Sequence, residues 1–267
     1  MIDRSAIAAA SQRLASRPGF LRATPLAQLS GAALGVPCAQ VWLKIEQLQT
    51  GGSFKARGMM NRLLANPLPE SGVIIASGGN AGIATAAAAR ALGVRCEVFV
   101  PEVSPEAKRA RLRQLGAEVM VRGAAYSEAL QACLERQQAT GALLTHAYDQ
   151  PEVVAGAGTL AQEMETQAGR LPDTLLVSVG GGGLIAGVAA WVNSRAHVVA
   201  LEPERAPTLH SARAAGRPVD VEVGGIAADS LGARRTGHAR VKPWRSSCAA
   251  PTAIPPASPE FAPPGRS

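Results

Sequence analysis

The order of apolar runs and helix-periodic stretches along this chain restricts its fold more than any other feature. Runs at 40–46 (QVWLKIE), 72–77 (GVIIAS), 95–100 (RCEVFV), 117–122 (AEVMVR), 142–146 (ALLTH), 173–179 (DTLLVSV) and 197–202 (HVVALE) read as strands. Between them, Ala-rich segments such as 80–92, 105–115, 125–138 and 152–167 carry helical periodicity. Nearly continuous apolar strands alternating with helices belong to parallel sheets covered on both faces. The predicted class is therefore α/β, with parallel sheets flanked by helices. Aromatic residues are only 3% of the chain, so the core must be built from Ala, Val and Leu. At the N-terminus, Ile7, Ala10 and Leu14 share one helical face. In open sheets of this kind ligands sit beyond the carboxyl ends of the strands, which makes the loops after strands the candidate sites.

Three of these loops carry chemistry. In GGSFKARG, residues 51–58, Lys55 stands where a strand-like piece passes into a helix-like one. A helix start disfavours a cation. The placement suits a lysine that acts as nucleophile or base, because a helix N-terminus and partial burial both lower an ammonium pKa. A first-turn lysine that merely snorkels to solvent is the alternative. In SGGNAG, residues 77–82, glycines let backbone amides converge at a helix start, which favours an anion such as a carboxylate. Ser77 and Asn80 add side-chain hydrogen-bonding groups there. A capped helix with glycines serving only a tight turn explains that loop equally well. In VGGGGL, residues 179–184, four successive glycines precede a helix and form a phosphate cradle. It is not a Walker A loop, because no Gly-Lys-Ser/Thr follows. It does match a dinucleotide fingerprint, Gly181-x-Gly183-x-x-Ala186 with Glu202 ending the next strand, so that loop alone fits a nicotinamide or flavin unit.

A dinucleotide enzyme has no use for the Lys55 loop or the Ser77–Gly82 loop. Pyridoxal 5'-phosphate uses all three. Its aldehyde needs a lysine for a Schiff base, its phosphate needs an amide nest, and its amino-acid substrate brings a carboxylate that needs a second nest.

In that order, GGSFKARG, SGGNAG and VGGGGL resemble the fold-type II pyridoxal phosphate enzymes, the tryptophan synthase β-like group, and within them the serine/threonine dehydratases. The segments YDQPEVVAGAGTLAQEM (148–164), LEPERAPTLHSARAAGRPV (201–219) and GGIAADSLGARR (224–235) fit the same scheme, so the likeness covers roughly residues 15–238. The resemblance implies two α/β domains around a cleft: a small one over 48–147 and a large one combining 1–47 with 148–238. It implies that Lys55 carries the cofactor and removes the substrate's α-proton. Phe54 would pack beside the cofactor ring, and Asn80 would hydrogen-bond its 3′ oxygen. Gly180, Gly181, Gly182, Gly183 and Leu184 would hold the phosphate. Ser77, Gly78, Asn80 and Ala81 would receive the substrate carboxylate. The implied reaction converts L-serine or L-threonine to a 2-oxo acid and ammonia.

Departures from the family pattern narrow this. Racemases of the family carry a serine base in the second loop, and the matching position here is Gly78, which cannot move a proton. Some relatives bind a divalent metal through the EPERAPT region; here Glu202 remains but Thr208 stands at the second acid position, so no divalent site is expected. Relatives also continue past residue 238 and supply a Ser, Cys or Thr to the pyridine nitrogen. Residues 239–267 instead hold seven prolines and little periodicity, and read as a disordered or aberrant tail in which Cys248 is given no role. Racemisation, β-replacement and a catalytically impaired remnant are the competing readings.

The totals exclude other classes. The net charge of +7 is concentrated after residue 233, where six Arg or Lys meet one Glu, and no basic stripe interleaved with aromatics appears. A nucleic-acid partner is not expected. No apolar run approaches the ~20 residues of a membrane span, and the N-terminus lacks a secretory signal pattern. Cysteines 38, 96, 133 and 248 form no C-x-x-C pair, which fits reduced thiols and a cytoplasmic setting. The family resemblance implies a homodimer or homotetramer.

Overall fold

A computed structural model describes residues 2–237; the proline-rich stretch 239–267, with Cys248, lies outside them. Helix α1 (Arg4–Ala15) starts at Asp3, whose carboxylate accepts the Ala6 N–H at 3.0 Å, and it buries Ile7, Ala10 and Leu14 as their spacing predicts. Strands β1 (Leu26–Ser30) and β2 (Gln40–Lys44) follow, then α2 (Lys55–Leu64), β3 (Val73–Ala76), α3 (Asn80–Leu92) and β4 (Cys96–Val100). Next come α4 (Glu106–Gln114), β5 (Glu118–Val121), α5 (Tyr126–Thr140), β6 (Leu143–Leu144) and α6 (Pro151–Ala168). The described chain ends with β7 (Thr174–Ser178), α7 (Gly183–Val192), β8 (His197–Leu201), α8 (Thr208–Ala214) and α9 (Ala228–Leu231).

One sheet has the order β5-β4-β3-β6 and is parallel throughout; Val73 stands opposite Cys96 on one side and Leu143 on the other. A second, two-stranded sheet pairs β7 with β8, also parallel. The parallel expectation needs one amendment. The run at 40–46 becomes β2, which pairs antiparallel with β1. Strand β1, LAQLS, mixes apolar and polar residues, has no β-branched side chain and buries neither face, so its sequence signal is weak. The short helices α8 and α9 are equally silent in the sequence.

Helix α6 is the central packing element, and its AGAG sequence shows why. A Cβ on Gly156 would lie 2.5 Å from the Arg57 carbonyl oxygen and 2.7 Å from Gly58 Cα on α2. On another face, a Cβ on Gly158 would lie 2.8 Å from the Gly187 carbonyl oxygen on α7. Bare backbone thus meets bare backbone on both sides of α6. The two functional starts, Lys55 at the head of α2 and the glycine loop at the head of α7, are anchored to the same helix.

A buried charge cluster ties the N-terminal ribbon to α2 and α6. Arg57, 2% exposed, donates through Nε and Nη2 to Glu46, both at 2.8 Å, and its Nη1 lies 2.9 Å from Glu163. Lys44 reaches Glu163 at 2.5 Å and the Thr24 carbonyl at 2.8 Å; the Thr24 hydroxyl donates to Glu46 at 2.5 Å. Burial works to raise the Glu163 pKa, but Arg57 and Lys44 outweigh it and hold the carboxyl below its ordinary value.

Two stability measurements check this packing. Gly156→Ala gains helix propensity of roughly 1 kcal/mol but drives a methyl into backbone atoms that cannot step aside. A net loss of about 1–3 kcal/mol in denaturant unfolding is expected, and a neutral or stabilised variant would contradict the packing described. Arg57→Met keeps the stem but leaves Glu46 buried without its cation; it should cost about 3–5 kcal/mol, and a loss under about 1 kcal/mol would show that the cluster is not held as described.

Candidate active site

Lys55 is the first residue of α2, preceded by Phe54 in helical conformation with no side-chain cap. Its Nζ donates to the Ala147 carbonyl oxygen at 2.5 Å. The amine stands 5.1 Å from the centre of the Phe54 ring and 5.9 Å from that of Tyr148. Burial pulls its pKa down to about 8. The lysine therefore does not snorkel to water, and desolvation is the cause of its shift.

The second loop follows β3. Ser77, Gly78 and Gly79 connect Ala76 to α3, which begins at Asn80 with no side-chain cap, so its first N–H groups are open to a ligand. Gly82 is set against the Ser77 carbonyl oxygen, closer than any side chain permits. The Lys55 loop touches this helix start: a Cβ on Gly51 would lie 3.4 Å from Ile83 Cγ2.

The third loop follows β7. Gly182, at φ +88°, caps α7 without a side-chain hydrogen bond, and Gly183 and Leu184 open the helix. The ring of Tyr148 lies against Gly181, where any Cβ would collide with it, and a Cβ on Gly183 would stand 2.7 Å from the Tyr148 carbonyl oxygen. Tyr148 thus touches the glycine loop while its ring flanks the Lys55 amine. Lys55, with the Phe54 ring beside its amine, and Gly181 and Gly183 meet at residues 147 and 148, while Gly51 stands against Ile83 and Ala84 near the start of α3. None of these contacts joins Ser77–Ala81 to the lysine directly.

The family-like segment 148–164 begins at Tyr148, but the sequence assigns residues 146–148 no role. The available signal is their place after β6, where loops of such sheets carry ligands, and one of the chain's two tyrosines. His146 Nδ1 accepts the backbone N–H groups of Tyr148 at 3.3 Å and Asp149 at 3.0 Å. Burial lowers the His146 pKa, partly offset by Asp149, so a neutral ring with its proton on Nε2 fits these bonds.

The dinucleotide alternative meets an obstacle at Glu202. Its Oε1 accepts the Thr208 hydroxyl at 2.9 Å and the Leu209 N–H at 2.6 Å; Oε2 accepts the His210 N–H at 2.8 Å. The carboxylate caps α8 and is committed to it, so it is not presented to a ribose. Among the described residues no group of three or more His, Cys, Asp or Glu is placed to hold a metal ion. Nor is any described helix long and apolar enough to cross a membrane. Cys96 and Cys133 are buried, Cys38 is exposed, and all are free thiols.

The donor set fits pyridoxal phosphate. It offers an amine with a depressed pKa, two helix starts without side-chain caps, and, at Gly79 and Gly182 just before them, positions where a Cβ would meet no protein atom within 4 Å. The buried Ser53 hydroxyl, two residues before Lys55, has no hydrogen-bond partner in the protein, as expected beside a ligand pocket.

Comparison with known proteins agrees. The profile of the pyridoxal-phosphate dependent enzyme family matches residues 18–248. The L-threonine ammonia-lyase of Geobacter sulfurreducens is 37% identical over 211 residues, covering 76% of this chain and 51% of that protein. A biosynthetic L-threonine dehydratase of Mycobacterium tuberculosis is 40% identical over 207 residues, covering 74% and 48%. The chain spans about half the length of these curated relatives. Among solved structures, maize serine racemase superposes with a TM-score of 0.81 at 28% identity over 88% of this chain and 71% of that one. A threonine deaminase from T.th. gives 0.80 at 34% identity, covering 88% and 77%. With a family profile matched over most of its length and parallel sheets flanked by helices, this chain belongs to the pyridoxal-phosphate dependent enzymes of fold-type II.

Proposed function

We propose that the protein is a dehydratase (ammonia-lyase) that converts L-threonine or L-serine to a 2-oxo acid and ammonia. The observation that carries this reading is the Lys55 amine, with its pKa brought to about 8, held on the Ala147 carbonyl next to Tyr148, whose ring rests on Gly181 of the glycine loop. The relatives' names support the substrate class.

When bound, pyridoxal phosphate supplies an aldehyde for the lysine and a ring that spreads the charge left when the α-C–H bond breaks. The chain's own residues do the rest. The backbone amides of Gly180 to Gly183 and Leu184 would hold the phosphate, Phe54 would pack beside the ring, and Asn80 would donate to its 3′ oxygen. Amides of Ser77, Gly78, Asn80 and Ala81 receive the substrate carboxylate and orient the Cα–H bond. Lys55 Nζ, in its neutral form, takes the α-proton. Loss of the β-hydroxyl as water, followed by hydrolysis of the product imine, gives the 2-oxo acid and ammonia with no net consumption of water. Racemisation would need a proton carrier on the opposite face. Gly78 has none, and a Cβ there would already stand 3.2 Å from Val100 Cγ1. The fold likeness to a serine racemase is what keeps the second reading in view.

We also propose that residues 48–147, holding the four-stranded sheet, form the small domain, and 1–47 with 148–238 the large one. The reduced thiols support a cytoplasmic setting, and a homodimer or homotetramer is the expected assembly.

The depressed lysine pKa has a direct consequence. Burial disfavours the ammonium form, so the amine loses its proton at lower pH than an ordinary lysine. In cofactor-free protein, covalent modification of Lys55 by a small amine-directed reagent should reach half its maximal rate near pH 8, while exposed lysines follow near about 10.4. Peptide mapping reads each site, and titration of Lys55 together with the exposed lysines would contradict its burial. Borohydride reduction of the loaded protein should attach the cofactor to Lys55. Lys55→Ala should abolish that adduct and lower 2-oxo acid release by about 10³-fold or more. Adduct on another lysine would refute the assignment, and D-serine formed without 2-oxo acid would replace elimination with racemisation.

A further inference from the structure

The Tyr148 hydroxyl has no part in the proposed reaction, yet it lies at the junction of two segments that enclose the glycine loop. On one side the Tyr148 ring rests on Gly181, and its carbonyl oxygen and Cβ would stand 2.7 and 3.0 Å from a Cβ on Gly183. On the other side lie residues 231–237. A Cβ on Gly180 would be 3.2 Å from Leu231 Cα, and the Gly237 N–H donates to the Gly181 carbonyl oxygen at 2.9 Å. A Cβ on Gly237 would stand 2.6 Å from Asp149 Oδ1, so this segment also packs against the residue that follows Tyr148. The phenol spans the two sides: Tyr148 Oη donates to the Arg235 carbonyl oxygen at 2.9 Å. Burial is the main cause that pushes the phenol pKa up to about 12, so the hydroxyl remains a donor at neutral pH.

We propose that Tyr148 is a positioning residue for anion binding: its hydroxyl pins residues 231–237 onto the glycine loop and thereby holds the amides of Gly180–Gly183 in the arrangement that receives a phosphate monoester. This rests on the reading that the loop binds the cofactor's phosphate. The ring and the hydroxyl have separable tasks. The ring packs on Gly181 and flanks Lys55; the hydroxyl alone reaches Arg235. Tyr148→Phe therefore leaves the lysine's surroundings in place and releases only the pin.

The experiment compares equilibrium binding of pyridoxal phosphate and of pyridoxal, which lacks the phosphate, to cofactor-free protein by absorbance or fluorescence. The wild-type chain is expected to bind the phosphate ester more tightly than pyridoxal. Tyr148→Phe should weaken pyridoxal phosphate by about 5–10-fold, the range of one lost hydrogen bond, and leave pyridoxal affinity unchanged. Gly237→Pro, which removes the N–H that this segment donates to the Gly181 carbonyl oxygen, should show the same phosphate-selective loss. Equal weakening of both ligands, or no weakening of either, overturns the proposal. Wild-type protein that binds the two ligands equally overturns instead the reading of the loop as a phosphate cradle.

Discussion

Helix α6 meets its two neighbours through glycine, and the site depends on that contact. Gly156 admits the backbone of α2 and Gly158 that of α7, at separations no side chain could tolerate. Both helices begin with a functional feature: Lys55 for α2 and the glycine turn for α7. A close-packed helix is a rigid spacer, since core atoms have no void into which to relax. The distance between the amine and the cradle is therefore set by backbone contacts away from either.

The buried ionic cluster completes the same task from the other direction. Arg57, two residues beyond Lys55, is held by Glu46 and Glu163, while Lys44 and Thr24 bring in the N-terminal ribbon. Buried ion pairs are weak sources of net stability, because desolvation consumes much of the attraction. Their geometric demand is strong, however, and Arg57 can satisfy two carboxylates only in one orientation of the α2 start. The amine two residues earlier inherits that orientation. It then lies in an environment dry enough to depress its pKa, yet provided with the Ala147 carbonyl to accept its hydrogen bond.

Much of this is legible in the residues, and the failures are instructive. The strands β3 and β4 stand out because they are almost wholly apolar and buried on both faces, and β5, β7 and β8 because their runs are as apolar although the structure leaves residues such as Leu176 and Leu201 exposed. The three loops stand out because glycine clusters are costly unless backbone must approach something closely. Strand β1 escapes notice because an exposed ribbon needs no such signature; LAQLS resembles a loop. Spacing alone presents Glu202 as a candidate ribose ligand, because it does not reveal that a helix start six residues later takes its oxygens. Tyr148 opens the family-like segment 148–164 but is given no role by it, because an aromatic after a strand has no assigned task until the fold lays it on a glycine.

What the sequence by itself determined was local: which segments extend, which coil, where backbone is left bare, and which lysine stands in an awkward place. These follow from periodicity, from the lack of a Cβ and from the helix dipole, all of which act within a few residues. What only the tertiary structure decided was conjunction: that Lys55 and the glycine loop before α7 both meet the 147–148 turn, that burial rather than the helix end depresses the lysine, and that Glu202 is already occupied. Desolvation and hydrogen-bond competition depend on neighbours distant along the chain, and no local pattern records them.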